Sequence, residues 1–240
     1  MDTPKKILIC PLNWGLGHAT RCVPVIREQL AAGNEVVICA DGYPLEFLRQ
    51  EFPALRTLEL PSYPIRYSRA KSQVFAMLLF LPTLLKGIYR ENYWLKKLLI
   101  KEHFDVIISD NRFGLWNKSI HSIYITHQVM IKMPNGLKWL EPFGYILHKY
   151  IINKFNECRI PDFAEDGGLS GDLSHKYALP ANAKFIGTLS RFNDYKLTAP
   201  DANYQIVAVL SGVEPQRTLF EKELIAIYKN SKKKTVIVQG

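Results

Sequence analysis

The sequence predicts an α/β protein built on an open, doubly wound parallel sheet with helices on both faces. Three observations predict it. Short apolar runs rich in β-branched residues alternate with stretches of helical periodicity. The first run, KILICPL (6–12), ends in a glycine-rich turn that opens a helix. A second strand, turn and helix begin near residue 204.

The runs KILICPL (6–12), EVVICAD (35–41), LRTLEL (55–60), FDVIISD (104–110) and HSIYIT (121–126) read as strands. They are apolar without strict alternation, as suits strands covered on both faces. Between the first two, HATRCVPVIREQLAAG (18–33) sets Ala19, Cys22, Val23, Ile26 and Leu30 on one helical face, with Gly33 as a stop. Proline is tolerated in a first helical turn, so Pro24 predicts a start near Thr20. After NAKFIGTL (182–189) the periodicity stops. This divides the chain into a Rossmann-like domain at 1–190, a polar linker at 191–203 and a second unit at 204–240. The second unit holds a strand (YQIVAVL), a turn (SGVEPQR), a helix (TLFEKELIAIYKN) and a strand (KTVIVQG). That is too little for a core of its own, so it reads as the truncated start of a domain.

A net charge of +9 in 240 residues points to an anionic partner. No recognisable nucleic-acid module accompanies the charge, and nucleic acid is not expected. Cys10, Cys22, Cys39 and Cys158 fall singly, without metal-ligand spacing, and read as reduced thiols of a cytoplasmic protein. The N-terminus lacks a signal-peptide cleavage pattern, and no run reaches the ~20 apolar residues of a membrane span. The stretch 65–102 carries eight Lys and Arg against Glu91 and Glu102, interleaved with Phe75, Phe80, Tyr89, Tyr93 and Trp94. It reads either as core helices with solvated lysines or as a surface helix on an anionic membrane.

The turn LNWGLGHATRC (12–22) admits several readings. A glycine turn opening a helix brings unpaired N–H groups toward a phosphate. A dinucleotide fingerprint needs a third glycine where Thr20 stands, although Asp41 ends the next strand where a ribose-binding acid belongs. A nucleoside-triphosphate loop needs a lysine that is absent. His18 is then either a catalytic group facing a cleft or a simple cap.

The segment PLNWGLGHATRCVPVIREQLAAGNEVVICAD resembles the N-terminal part of GT-B glycosyltransferases related to the peptidoglycan N-acetylglucosaminyltransferase. VIISDNRFG (106–114), IYITHQ (123–128), FIGTLSR (185–191) and IVAVLSGVEPQRTLFEKEL (206–224) continue the resemblance in order. It implies two Rossmann-like domains, an acceptor domain and a nucleotide-sugar domain, facing a cleft. Gly15, Gly17 and His18 match the first glycine loop; Ser211, Gly212 and Gln216 match the second. The second loop departs from the pattern in having one glycine, with Glu214 where a phosphate would approach. His18 is implied as the base that takes a proton from the acceptor hydroxyl, and a helix start disfavours its imidazolium form.

Acceptor or substrate contacts are expected from Asn13, Gly15, Gly17 and Arg21 at the first loop, from His127 and Gln128, where the matching family position lines the acceptor side, and from Asp110, Asn111 and Arg112 at the carboxyl edge after the fourth strand, with Arg112 suited to gripping a phosphate bidentately. Asp110 alternatively caps a turn, and His127 is alternatively satisfied by loop backbone. Ser211, Gly212, Gln216 and Arg217 would meet the donor diphosphate. His175 reads as a surface residue. The implied co-substrate is a nucleotide sugar, UDP-linked, with no cofactor and no metal, since no D-x-D pair is present. The implied location is the cytoplasm, peripheral at the inner face of the plasma membrane, and residues 1–240 alone are expected to be inactive. GLGHATRC also resembles the start of sugar-nucleotide hydrolases of the same fold, whose histidine would activate water, and Arg21 fits that pattern better. A non-catalytic nucleotide-sugar or lipid-binding fragment is the third reading.

Overall fold

The computed structural model describes residues 3–61, 73–133, 136–193, 195–196, 203–212 and 215–239, with side chains from residue 82 onward in the helix that begins at 73. The chain forms two units, Met1–Asn193 and Asp194–Gly240.

Apolar runs that cannot face water on either side must lie inside a sheet covered by helices, and the first unit is built this way. Its strands are β1 (Lys6–Pro11), β2 (Glu35–Ala40), β3 (Arg56–Glu59), β4 (Val106–Asp110), β5 (His121–Ile125), β6 (Glu157–Ile160) and β7 (Ala183–Phe185). All are parallel, in the order β3-β2-β1-β4-β5-β6-β7. The chain works outward from β1 to β3, then returns to lay β4 beside β1. Ile9 is paired with Ile38 on one side and Ile108 on the other.

Alternate strand residues feed two layers. Ile7, Ile9, Ile38, Ile108, Ile123 and Ile125 pack under α1 (Gly17–Ala31) and α2 (Gly42–Glu51). Leu8, Cys10, Val37, Cys39 and Ile107 pack on the other face with Leu95 of α3 (Gln73–Lys101). Tyr124 and Cys158 pack with Ile152 of α4 (Glu141–Ile152). Each fully buried aliphatic side chain contributes roughly 1.5–3 kcal/mol. All four cysteines are free and buried in this core.

Two features differ from the sequence reading. α1 starts at Gly17, not Thr20, so Pro24 lies inside the helix and costs it one backbone hydrogen bond. The buried side chains around it, Cys22, Val23, Val25 and Ile26, hold the helix against the sheet despite that loss. The strand β6 was not expected, because ECRI alternates charged and apolar residues and lacks the continuous apolar run of the central strands.

The expected basic stretch falls largely on α3; its residues 65–72 lie outside the described residues. From residue 82 the helix has two sides. Glu91 and Leu95 are buried toward the sheet, while Leu85, Tyr89, Tyr93 and Ile100 face outward among the lysines. Among the described residues no helix is long and apolar enough to cross a membrane.

The second unit consists of β8 (Ile206–Val209), α6 (Gln216–Tyr228) and β9 (Thr235–Val238), with β8 and β9 paired in parallel. Among its described residues Leu210 is buried, and Val207, Val209, Phe220 and Ile227 are exposed.

Candidate active site

The sheet changes direction between β1 and β4, and the loops that leave their carboxyl ends diverge there. Open α/β sheets bind ligands at such a crevice. His18 enters it from the second position of α1, delivered by the glycine turn after β1; Gly15 takes a positive φ of 72° that a side chain would strain. Asp110 enters from the last position of β4.

His18 and Asp110 meet directly. His18 Nδ1 lies 2.8 Å from Asp110 Oδ1, and the carboxylate is fully buried. Arg21, one turn along α1, donates from Nε to Asp110 Oδ2 at 2.8 Å and from Nη2 to Oδ1. Burial pushes the Asp110 carboxyl up, but the Arg21 guanidinium and His18 beside it overcome this and bring it down to about 2. An ionised Asp110 at 2.8 Å from a bare Nδ1 would set two lone pairs against each other. Nδ1 also stands 2.9 Å from Arg21 Nη2, so it faces an acceptor and a donor at once; a proton on Nδ1 meets the closer, buried carboxylate and places the lone pair of His18 on Nε2. That is the tautomer of a general base.

His127, just past β5, completes the group. Arg21 Nη1 donates to its Nδ1 at 3.1 Å, which leaves the ring's proton on Nε2. Burial, with the Arg21 guanidinium and then His18 beside it, brings His127 down to about 4, so it is neutral at pH 7. Its ring centroid stands 6.4 Å from that of His18. The Arg21–Asp110 pair thus tethers both imidazoles through Nδ1, one presenting an acceptor and the other a donor.

Arg112 does not grip a phosphate. It is 1% exposed, and its guanidinium is spent on protein groups: Nε on Pro11 O at 2.8 Å, Nη1 on Glu91 Oε1 at 2.9 Å, and Nη2 on Asp41 Oδ1. With N–H groups on all three nitrogens bound to Pro11 O, Glu91 and Asp41, the guanidinium is buried and committed to the protein's own carboxylates. Asp41 is likewise committed, since it also accepts from Asn13 Nδ2 at 2.9 Å, and so Asn13 braces the glycine turn. Glu91 was not anticipated as a site residue. Its signal was its isolation as an acid within a strongly basic stretch. A Cβ on Gly114 would stand 2.4 Å from Ile88 O, so glycine there lets the chain after β4 approach α3 and donate its N–H to Glu91 Oε2 at 3.0 Å.

Asn111 is the hinge between the two clusters. It adopts φ 58°, and its Oδ1 accepts from Tyr124 Oη at 3.0 Å. Gln128 is held through its backbone, whose N–H donates to Thr126 Oγ1 at 3.1 Å. Gly17 is the first residue of α1. His175 is not a free surface residue: its ring stacks on Phe185 at 4.8 Å, and its Nε2 lies 3.4 Å from buried Asp162. In the second unit, Ser211 and Gly212 follow β8, and Gln216 and Arg217 open α6. Gly212 has φ 109°, while Glu214 lies outside the described residues. Among the described residues no group of three His, Cys, Asp or Glu could hold a metal ion.

No family model matches the chain, and no curated protein matches its sequence. Solved structures do match in fold. The calicheamicin glycosyltransferase CalG4 matches with a TM-score of 0.62 at 10% identity, over 100% of this chain and 66% of its own. The glycotransferase of kitacinnamycin gives 0.58 at 16% identity, over 99% and 66%. A Listeria monocytogenes protein assigned as a UDP-N-acetylglucosamine 2-epimerase gives 0.53 at 10% identity, over 99% and 62%. These structures share the GT-B fold of this chain, whose first unit is a Rossmann-like doubly wound sheet and whose second unit is a parallel strand–helix–strand. The chain spans about two thirds of the length of these structures.

Proposed function

We propose that this chain carries the acceptor side of a glycosyltransferase that moves a sugar from a nucleotide-sugar donor, UDP-linked, to an acceptor hydroxyl. The observation that carries this reading is the Asp110–His18 pair, Nδ1 to Oδ1 at 2.8 Å, at the carboxyl edge beside the glycine turn. In the proposed step the acceptor O–H gives its proton to His18 Nε2 as the oxygen bonds to the anomeric carbon. The bond from that carbon to the diphosphate breaks, and the electron pair leaves with the nucleotide. Asp110 orients the imidazole and stabilises its charged form, while Arg21 keeps the carboxylate ionised. His127 Nε2–H is a donor for the acceptor oxygen. Ser211, Gly212, Gln216 and Arg217 receive the donor diphosphate, and no metal or cofactor takes part. The outward face of α3, aromatic and rich in lysine, supports a lipid-linked acceptor at the cytoplasmic membrane face.

The position of Arg21 favours a second reading, hydrolysis of a sugar nucleotide with water in place of the acceptor. Arg21 is central to the site, bonded to Asp110 and facing both imidazoles. The test is His18→Ala in the product of the natural open reading frame. Turnover of UDP-sugar should fall ~10²- to 10⁴-fold, the usual worth of a general base. Activity that requires added acceptor supports transfer, and fast release in buffer alone decides for hydrolysis. An alanine variant as active as wild type removes His18 from the chemistry.

A further inference from the structure

Helix α4 carries a second outward apolar face that the reaction at His18 does not use. Its inner side is fixed. Glu141 is buried, accepts the N–H of Met133 at 3.1 Å and pairs with Lys176; Gly144, His148 and Ile152 are also buried. This orientation turns Phe143, Ile146, Leu147 and Tyr150 outward, and Trp139 in the preceding 3₁₀ turn (Lys138–Leu140) joins them. These five are 47 to 66% exposed. Their spacing of three and four residues makes a continuous stripe along a helix of about 18 Å.

The rim of the stripe is basic. Lys138 precedes Trp139 and Lys149 precedes Tyr150 in the chain, and Lys154 places its ammonium 4.2 Å from the Tyr150 ring centroid. The acid of α4, Glu141, is buried on the opposite side. The stripe also shares a layer with α3. Register pairs Ile107 with Ser122 and Ser109 with Tyr124, so the core under α3 and the core under α4 occupy the same face of the sheet. The outward sides of both helices therefore belong to one layer.

We propose that the outward face of α4 seats the protein on an anionic lipid bilayer. Large apolar side chains with Trp and Tyr among them suit the boundary between headgroups and acyl chains, and lysine flanks suit anionic headgroups. A second copy is the poorer occupant, since an isologous contact would bring like-charged lysine rims together. The contact extends the membrane reading beyond α3 and is independent of the reaction at His18.

The test is cosedimentation with phosphatidylglycerol–phosphatidylcholine vesicles at low salt, beside pure phosphatidylcholine vesicles. One variant carries Phe143→Ser, Ile146→Ser and Tyr150→Ser. A second carries Lys96→Glu, Lys97→Glu and Lys101→Glu on α3. All substituted positions are exposed, so circular dichroism and melting should match wild type. The α4 variant should lose at least about tenfold in partition to anionic vesicles. The vesicle-induced blue shift of tryptophan emission should disappear in Trp139→Phe. An α4 variant that binds as wild type does overturns the proposal, even if the α3 variant fails to bind. Wild type that ignores anionic vesicles overturns it as well. A concentration-dependent dimer dissolved by the α4 substitutions would assign the stripe to a second copy instead.

Discussion

Asp110→Asn preserves the shape of the buried residue and removes its charge. The carboxyl is held down from its usual 3.8 to about 2, which corresponds to roughly 2–3 kcal/mol of stability at neutral pH. The sign follows from the depressed value. The contribution is complete above pH ~4 and is lost as pH falls through ~2, so wild type and variant should converge in stability over that window. An amide also has one acceptor oxygen where the carboxylate has two. Asp110 accepts from His18 Nδ1, Arg21 Nε and Arg21 Nη2, and Asn cannot satisfy all three. The permanently charged Arg21 retains the oxygen, and the amide NH₂ then faces His18 Nδ1. That forces the imidazole proton onto Nε2, the tautomer that cannot act as a base, and turnover should fall by ~10²- to 10⁴-fold. Urea unfolding reads the stability change, and ¹⁵N-detected imidazole spectra of residues 1–240 read the tautomer without any substrate. A variant as stable as wild type at pH 7, with Nδ1 of His18 still protonated, would refute the reasoning.

Two further predictions concern groups around the site. Arg112→Met leaves Asp41 and Glu91 buried without their cation and should destabilise the fold by roughly 3–5 kcal/mol, measured by thermal melting; a change below about 1 kcal/mol would show that the clamp on the glycine turn is dispensable. Burial brings the His148 ring down to about 4, so the folded protein favours its neutral form; this stability is complete above pH ~6.5 and declines toward pH 4, and His148→Gln should flatten that acid limb in urea melts.

The sequence made the central strands and the glycine turn legible, for a physical reason. Past their first residues β1, β2, β4 and β5 are buried on both faces, so successive positions along them come under the same constraint. Toward the edge that constraint relaxes, and β6 alternates Glu157 and Arg159 with the buried Cys158 and Ile160. The candidate base His18 was legible because the glycine turn and helix start mark it locally. Its partner Asp110 lies 92 residues away, and nothing in the local sequence separates an acid that orients a histidine from one that caps a turn. Arg112 illustrates the opposite error. At the edge of a parallel sheet an arginine suits an anionic ligand, yet Glu91 and Asp41 converge on it from α3 and the start of α2. Such convergence depends on tertiary packing of segments whose local patterns are independent.

The consecutive residues Asp110, Asn111 and Arg112 explain how one strand end serves two opposed requirements. A histidine base needs a buried carboxylate beside it, and the glycine turn that delivers the histidine needs a rigid support. Asn111 separates these tasks through its left-handed φ of 58°, a conformation that asparagine tolerates better than most residues. The Tyr124 hydroxyl fixes its side chain, and its N–H donates to Ile125 O at 3.0 Å, so the turn is pinned to β5. On one side of the turn Asp110 joins His18, Arg21 and His127. On the other, Arg112 binds Pro11 O and Asp41, and Asp41 holds Asn13. Pro11 and Asn13 lie just upstream of the glycines that carry His18. The carboxylate that orients the imidazole and the guanidinium that anchors its loop therefore come from a single turn, which ties the distance between them to the backbone itself.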